Sequence, residues 1–188
     1  MMTTLILIRH GETDWNIEGR YTGQSDIPLN AHGILQAVNL ASSLSKENID
    51  AIYSSDLHRA SDTAERIRDD SDITLHLDAR LREIHQGEWE GLHFDEIRTR
   101  YRQAWEKRKN APLEVAPPGG ETVGEVRQRV LEAVREIINR HPRETIVIVS
   151  HGLSLAFIKV EANGLPIESV WDHIPTNASP EYLEVECL

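Results

Sequence analysis

Two histidines of the 188-residue chain stand between a polar residue and a glycine at the ends of apolar, β-branched runs. His10 lies in Arg9-His10-Gly11-Glu12-Thr13 after Thr3–Ile8, and His151 lies in Ser150-His151-Gly152 after Thr145–Val149. A neutral imidazole has a nitrogen lone pair that can attack phosphorus, provided its other ring nitrogen donates a hydrogen bond that fixes the tautomer. Arg9 sets a permanent cation beside His10, with a planar fork suited to phosphate oxygens. Gly11 lets backbone approach a ligand closely. Arg59, in Ser54-Ser55-Asp56-Leu57-His58-Arg59-Ala60, falls in the first turn of a predicted helix, where the helix N-terminus already favours anions. Each residue has a plainer reading, a strand-end polar group for His10 and a surface ion pair for Arg59. Together they point to phosphoryl transfer, which is mostly positioning and stabilisation of charge spread over the equatorial oxygens.

A leaving alkoxide also needs a proton, hence a carboxylic acid near the reacting group. Glu83, in Leu81-Arg82-Glu83-Ile84, precedes the glycine-punctuated Gly87-Glu88-Trp89-Glu90-Gly91 and is the first candidate. Glu88 and Glu90 compete with it on spacing alone.

The elements that must position these groups alternate along the chain. Strands are read at Thr3–Ile8, Ala51–Ser54, Ile73–Leu77 and Thr145–Val149, with an edge strand at Tyr182–Cys187. Between them Asn30 caps a helix with apolar positions Ile34, Val38, Ala41 and Leu44, and Leu57, Ala60, Ala64 and Ile67 line a second. Phe94, Ile97, Tyr101 and Trp105 mark a third helix, ending before the Pro/Gly-rich Ala111–Gly120. Thr122-Val123-Gly124-Glu125 has capping-box spacing and opens a fourth, with Val126, Val130, Val134 and Ile137 on one face and His141-Pro142 as its stop. A further helix opens at Gly152. Strands separated by helices imply a largely parallel sheet covered on both faces, an α/β fold in which ligands bind beyond the carboxyl ends of the strands. His10, Ser54–Arg59 and Ser150-His151-Gly152 all follow strands, so they should converge on one edge.

Composition bounds the rest. The length suits one domain over residues 1–188, and 39% apolar with 27% charged residues is ordinary for a globular chain. A formal charge of −11 argues against a nucleic-acid partner but permits a small anionic substrate, since charges beyond a Debye length of ~8 Å are screened. The apolar run Leu5–Ile8 is too short for a signal peptide or a membrane span, so no membrane partner is expected. Cys187 is the single cysteine, consistent with a reducing cytosol and a cytoplasmic location, and reads as packing of the terminal strand rather than as a nucleophile. The oligomeric state, a homodimer among the options, is not fixed by the sequence.

These residues carry a resemblance. Arg9-His10-Gly11-Glu12-Thr13 is similar to the signature of branch 1 of the histidine phosphatase superfamily, the phosphoglycerate mutase-like group. Asn16 and Gly19-Arg20-Tyr21-Thr22-Gly23-Gln24, followed by Asp26-Ile27-Pro28-Leu29, resemble its substrate loop. Ser54-Ser55-Asp56-Leu57 with Arg59-Ala60 and Thr63-Ala64 resembles its second arginine motif, and Leu81-Arg82-Glu83-Ile84 with Gly87 and Trp89-Glu90-Gly91 its acid motif. Ser150-His151-Gly152 resembles the second histidine motif. The resemblance implies a three-layer α/β/α sandwich with a mostly parallel central sheet. It also implies His10 as the phosphoryl acceptor, Arg9, Arg59 and His151 as phosphoryl ligands, and Glu83 as proton donor. Substrate contacts are implied at Asn16, Arg20, Thr22 and Gly23. No metal and no cofactor are implied, and arginines in the pocket would repel a cation.

Both phosphatases and mutases of the family use a phosphohistidine. The compact stretch Leu92–Gly120 and Trp89-Glu90-Gly91 resemble the phosphatase branch, and Pro117-Pro118-Gly119-Gly120-Glu121 is similar to α-ribazole phosphatases and related broad-specificity enzymes. The expected activity is therefore hydrolysis of a small phosphorylated metabolite, with a 2,3-bisphosphoglycerate-dependent mutase as the alternative and an inactive phospholigand- or partner-binding relative as a weaker one. A dinucleotide-binding domain lacks its Gly-x-Gly-x-x-Gly turn after the first strand. Two departures stand out: Asn30 where threonine is frequent, and Leu153-Ser154-Leu155-Ala156 where many members carry a glycine and then an arginine.

Overall fold

The structure, a computed structural model, describes residues 2–69 and 71–186. Cys187, read from sequence as the end of the last strand, lies outside the described residues. Five strands form one sheet in the order β3-β2-β4-β1-β5, with β1 at Thr3–Arg9, β2 at Ala51–Ser54, β3 at Thr74–Leu77, β4 at Thr145–Ser150 and β5 at Pro180–Val185. All neighbours run parallel except β5, which closes the β1 edge antiparallel. The helices are α1 (Asp14–Glu18), α2 (Ala31–Leu44), α3 (His58–Arg68), α4 (Phe94–Arg100), α5 (Arg102–Asn110), α6 (Val123–Arg140) and α7 (Gly152–Ala162). Short 3₁₀ turns lie at Ala79–Leu81, Gly87–Trp89 and Ile167–His173.

Alternation along the strands divides the core in two. Ile6, Ile8, Ile52, Val147 and Val149 face α2 and α3, while Leu5, Leu7, Tyr53, Ile146 and Ile148 face α6 and α7. The result is the three-layer α/β/α sandwich, with β1 and β4 buried on both faces as their unbroken apolar runs require. Among the described residues no helix is long and apolar enough to cross a membrane.

Three readings of the elements are corrected. In α2 the buried face is Gly33, Ala37, Leu40 and Leu44, whereas Ile34 and Val38 are exposed. Small residues occupy the inner face because the helix start packs backbone to backbone against the loop after β1. A Cβ on Gly33 would lie 2.1 Å from the carbonyl oxygen of Glu12. The third helix is broken: Tyr101 leaves helical geometry at φ −118°, ψ 34°, separating α4 from α5, and Phe94 is exposed. The last strand sits two residues earlier than expected, because its register is set by pairing Pro180 with Ile8 and Val185 with Thr3.

Asn30 caps α2 by accepting from the Gly33 amide at 2.8 Å, so its replacement of threonine leaves the cap intact. The capping box at Thr122 and Glu125 opens α6, and its anticipated face of Val126, Val130, Val134 and Ile137 is buried.

Candidate active site

Register brings the strand ends level. Arg9 of β1 pairs with Ser150 of β4, and Ser54 of β2 with Val149, so His10, His151 and Ser55 emerge side by side from adjacent parallel strands. The His10 amide donates to the Ser150 carbonyl and the Ser55 amide to that of Val149, each at 3.0 Å. Arg59 enters from the first turn of α3, and Glu83 from the irregular segment after Ala79–Leu81. Arg9, His10, Arg59 and Glu83, with Asn16, Arg20, Thr22 and Gly23, line a cleft of about 220 Å³, while His151 packs against the His10 ring with Ser55 as its partner.

Nδ1 of His10 lies 2.7 Å from the carbonyl oxygen of Gly11. A carbonyl only accepts, so Nδ1 carries the proton and the lone pair sits on Nε2. Nε2 in turn accepts from Arg59 Nε at 3.3 Å. The ring is 4% exposed and tilted 60° to the His151 ring, with centroids 5.1 Å apart. Burial, then the Arg59 and Arg9 cations, hold the His10 pKa well below the ordinary imidazole value, outweighing the Gly11 hydrogen bond that raises it. The nitrogen facing the cleft is therefore unprotonated at neutral pH.

Arg59 is held at each of its three nitrogens, with one N–H of each Nη left to donate. Its Nη1 donates to the Ser25 carbonyl at 2.8 Å and its Nη2 to that of Gly23 at 2.7 Å, so the guanidinium is fixed against His10 by the loop of residues 20–26. Burial lowers its pKa to about 10, opposed by Glu83, Asp26 and Glu90, so it remains a cation. Arg9 donates through Nη1 to Pro175 O at 3.1 Å, and burial lowers its pKa while Glu83 raises it. His151 is completely buried, with Nε2 2.8 Å from Ser55 Oγ and Nδ1 without a partner. Burial, then Arg59, His10 and Arg9, keep it neutral too.

The Glu83 carboxylate accepts from the Ile84 amide at 2.9 Å and from the Leu153 amide, in the first turn of α7, at 3.1 Å. An atom at the missing Cβ of Gly152 would lie 3.6 Å from Glu83 Oε2 and 3.7 Å from Arg9 Cζ, so both side chains close over that bare glycine. Glu90 is not an acid facing the cleft. Its oxygens accept from the Gln24 and Gln86 amides and from Ser25 Oγ, which makes it a brace for the 20–26 loop. Glu88 is exposed and pairs with Tyr101. Geometry thus separates Glu83 from the two carboxylates that spacing left level with it.

Asn16 accepts from the Thr13 amide at 3.1 Å in a capping box, which leaves its amide NH₂ as the group that can donate into the cleft. Arg20 is tied to Glu18 at 2.5 Å and to the Gly91 carbonyl at 2.7 Å on the rim. Thr22 and Gly23 form the adjoining wall. Ile84, Leu153, Trp171 and Ile174 give the cleft an apolar side, to which the departure at Leu153 contributes.

Several supporting residues escaped the sequence reading. Asn177 donates to the His10 carbonyl at 2.8 Å from 167 positions away. Thr63, quoted from sequence only as a motif position, accepts from the Gly11 amide at 3.1 Å and donates to the Arg59 carbonyl at 2.8 Å. Asp56 and Arg82, quoted only as motif positions, form a two-pronged ion pair at 2.5 and 2.6 Å that ties the Arg59 loop to the Glu83 segment. Among the described residues no three His, Cys, Asp or Glu side chains gather as a metal-ligand set.

Comparison with known proteins shows the family. The model of the histidine phosphatase superfamily (branch 1) matches residues 5–186. Phosphoserine phosphatase 1 of Hydrogenobacter thermophilus is 34% identical over 185 residues, covering 98% of this chain and 88% of the relative. A probable phosphoglycerate mutase, GpmB of Escherichia coli, is 36% identical over 166 residues, covering 88% and 77% respectively. The solved α-ribazole phosphatase of Shigella flexneri superposes with a TM-score of 0.90 at 31% identity, covering 95% of this chain and 89% of that one.

Proposed function

The chain belongs to branch 1 of the histidine phosphatase superfamily, and on that footing we propose that it hydrolyses a small phosphate monoester through a phosphohistidine on His10. The observation that carries this reading is the His10 tautomer: the Gly11 carbonyl accepts from Nδ1–H and leaves the lone pair on Nε2, which faces Arg59 Nε in the cleft.

A phosphoryl group seated there has its equatorial oxygens within the reach of Arg9 and Arg59, with His151 backing the His10 ring, the Asn16 amide and the Thr22–Gly23 backbone at its edge and Arg20 on the rim. Nε2 attacks, the P–N bond forms as the ester P–O bond breaks, and Glu83 delivers a proton to the departing oxygen. Water then attacks the phosphohistidine, Glu83 accepts its proton, and inorganic phosphate leaves with His10 restored. Every charge in this scheme is balanced by residues of the chain, so the proposed reaction is metal-independent.

Hydrolysis rather than a mutase cycle is supported by the apolar side of the cleft. A mutase must grip a second anionic group, and Arg20 is already tied to Glu18 and the Gly91 carbonyl. The test is a panel of phosphate monoesters that includes 3-phosphoglycerate with and without 2,3-bisphosphoglycerate, run with and without EDTA. Phosphate release that EDTA does not change supports the proposal. Interconversion of phosphoglycerates without phosphate release would replace hydrolysis with mutase activity, and reversible loss on chelation would require a metal.

A further inference from the structure

Nothing in the catalytic scheme uses Arg129 or Glu121, yet they form a dense polar contact with the backbone that carries Glu83. Arg129 projects from the second turn of α6. Its Nε and Nη2 donate to the Glu121 carboxylate at 2.9 and 2.8 Å. Its Nη1 donates to the carbonyls of Arg80 and Arg82 at 2.8 and 2.6 Å, and Nη2 also reaches that of Glu83 at 2.9 Å. Those five bonds match the five N–H donors a guanidinium has.

The carbonyls it collects belong to residues 80–83, the end of the 3₁₀ turn and the irregular backbone after it, where Ser150 Oγ of β4 and Ser154 Oγ of α7 also donate to the Leu81 and Arg82 carbonyls at 2.6 and 2.8 Å. Glu121 performs the matching task one step along the chain. Its Oε2 accepts from the His85 amide at 2.8 Å and from Gln24 Nε2 at 3.4 Å, while Gln24 Nε2 also donates to the Glu83 carbonyl at 3.1 Å. One ion pair therefore engages the backbone on both sides of Glu83, beside the Ser150 and Ser154 hydroxyls, while the carboxylate itself accepts from the Ile84 and Leu153 amides. The proline-glycine turn before Glu121 belongs to the same device. Pro118 O accepts from the Glu88 amide at 2.9 Å, and the Glu121 amide donates to His85 O at 2.9 Å, so the turn docks onto the acid loop and delivers Glu121 under it.

We infer that the Arg129–Glu121 pair is a positioning device for proton transfer: it sets the backbone of Glu83 so that the carboxyl meets the leaving oxygen, without touching the phosphoryl group. The inference rests on Glu83 being the acid. A planar fork is needed, because three carbonyls and a carboxylate cannot be gathered by one lysine ammonium. Misplacement of an acid by a fraction of an ångström weakens proton donation while leaving nucleophile and anion clamp as they were.

The test compares the wild type with Arg129→Lys and, as an isosteric partner change, Glu121→Gln. Single-turnover phosphorylation of the enzyme is followed with esters whose leaving groups run from p-nitrophenol to simple alcohols, and vanadate affinity is measured beside it. Both variants should bind vanadate as the wild type does. They should lose ~10-fold or more on alkyl esters and little on p-nitrophenyl phosphate, because only the former need the proton, so the rate falls more steeply with leaving-group pKa. An equal loss across all esters, weakened vanadate binding, or unchanged rates would overturn the inference. If one variant fails to fold, the other decides. A wild type whose own rates ignore Glu83→Gln would instead overturn the reading of Glu83, and this inference with it.

Discussion

Arg59 Nε donates across 3.3 Å to Nε2 of His10, so a permanent cation touches the lone pair of the nucleophile itself. The contact has two consequences. It adds to burial in holding the imidazole neutral, and it places the guanidinium where a phosphoryl group bonded to Nε2 would need its charge balanced. The same side chain is fastened by the Gly23 and Ser25 carbonyls, so its position does not depend on substrate. Preorganisation of this kind avoids reorganisation at the moment of reaction.

Arg59→Lys should therefore be far from conservative. An ammonium cannot span His10, Gly23 and Ser25 at once, and loss of a fixed donor at a transition-state oxygen lowers kcat by roughly 10²–10³-fold. Steady-state kinetics on p-nitrophenyl phosphate, with circular dichroism to verify folding, measures this. A kcat within a few-fold of the wild type would contradict the role given to Arg59.

Buried neutral histidines also make stability depend on pH. His10 and His151 both have pKa values well below 6.5 in the fold, mainly through burial, and return to about that value when the chain unfolds. As pH falls below ~6.5 the unfolded chain takes up protons that the native state refuses, so stability decreases with acidification in this window. Carboxylates such as Asp56, lowered chiefly by the Arg82 hydrogen bonds, act only at lower pH. The melting temperature should fall between about pH 7 and pH 5, and less steeply in His151→Asn. A melting temperature that is flat or rising over this range would contradict the neutral pair.

Glu83→Gln keeps the size of the side chain and one of its two contacts with the Ile84 and Leu153 amides, but removes its proton. Loss of a general acid slows turnover by ~10²–10⁴-fold where the leaving group needs protonation. Alkyl phosphates should show that loss, and the first phosphoryl transfer from p-nitrophenyl phosphate much less of it. Equal losses in both would assign the proton to another group.

Much of this site is written in short segments. The polar clusters Arg9–His10, Ser54–Arg59 and Ser150–His151 could be sent to one edge because parallel strands end together there, and the register Arg9–Ser150 and Ser54–Val149 brings that about. Apolar periodicity located α3 and α6 and their buried faces for the same reason, since a single stripe faces the sheet. It misjudged α2, where close backbone approach selects Gly33 and Ala37 over the larger Ile34 and Val38. Long-range hydrogen bonds leave no local pattern at all. Nothing near Asn177 announces that it holds the His10 carbonyl, and nothing near Arg129 announces the Glu83 segment. Spacing alone could not choose among Glu83, Glu88 and Glu90, because the choice depends on which carboxylate reaches the first turn of α7.

The account turns on where the phosphoryl group goes. Rapid alkaline quench during turnover of a monoester, followed by peptide mapping of the phosphorylated chain, measures it directly. One phosphoryl group on Nε2 of His10, absent from His10→Ala, is the predicted result. Turnover without a phosphoenzyme, or a phosphoryl group found on another residue while His10→Ala keeps its activity, would contradict it.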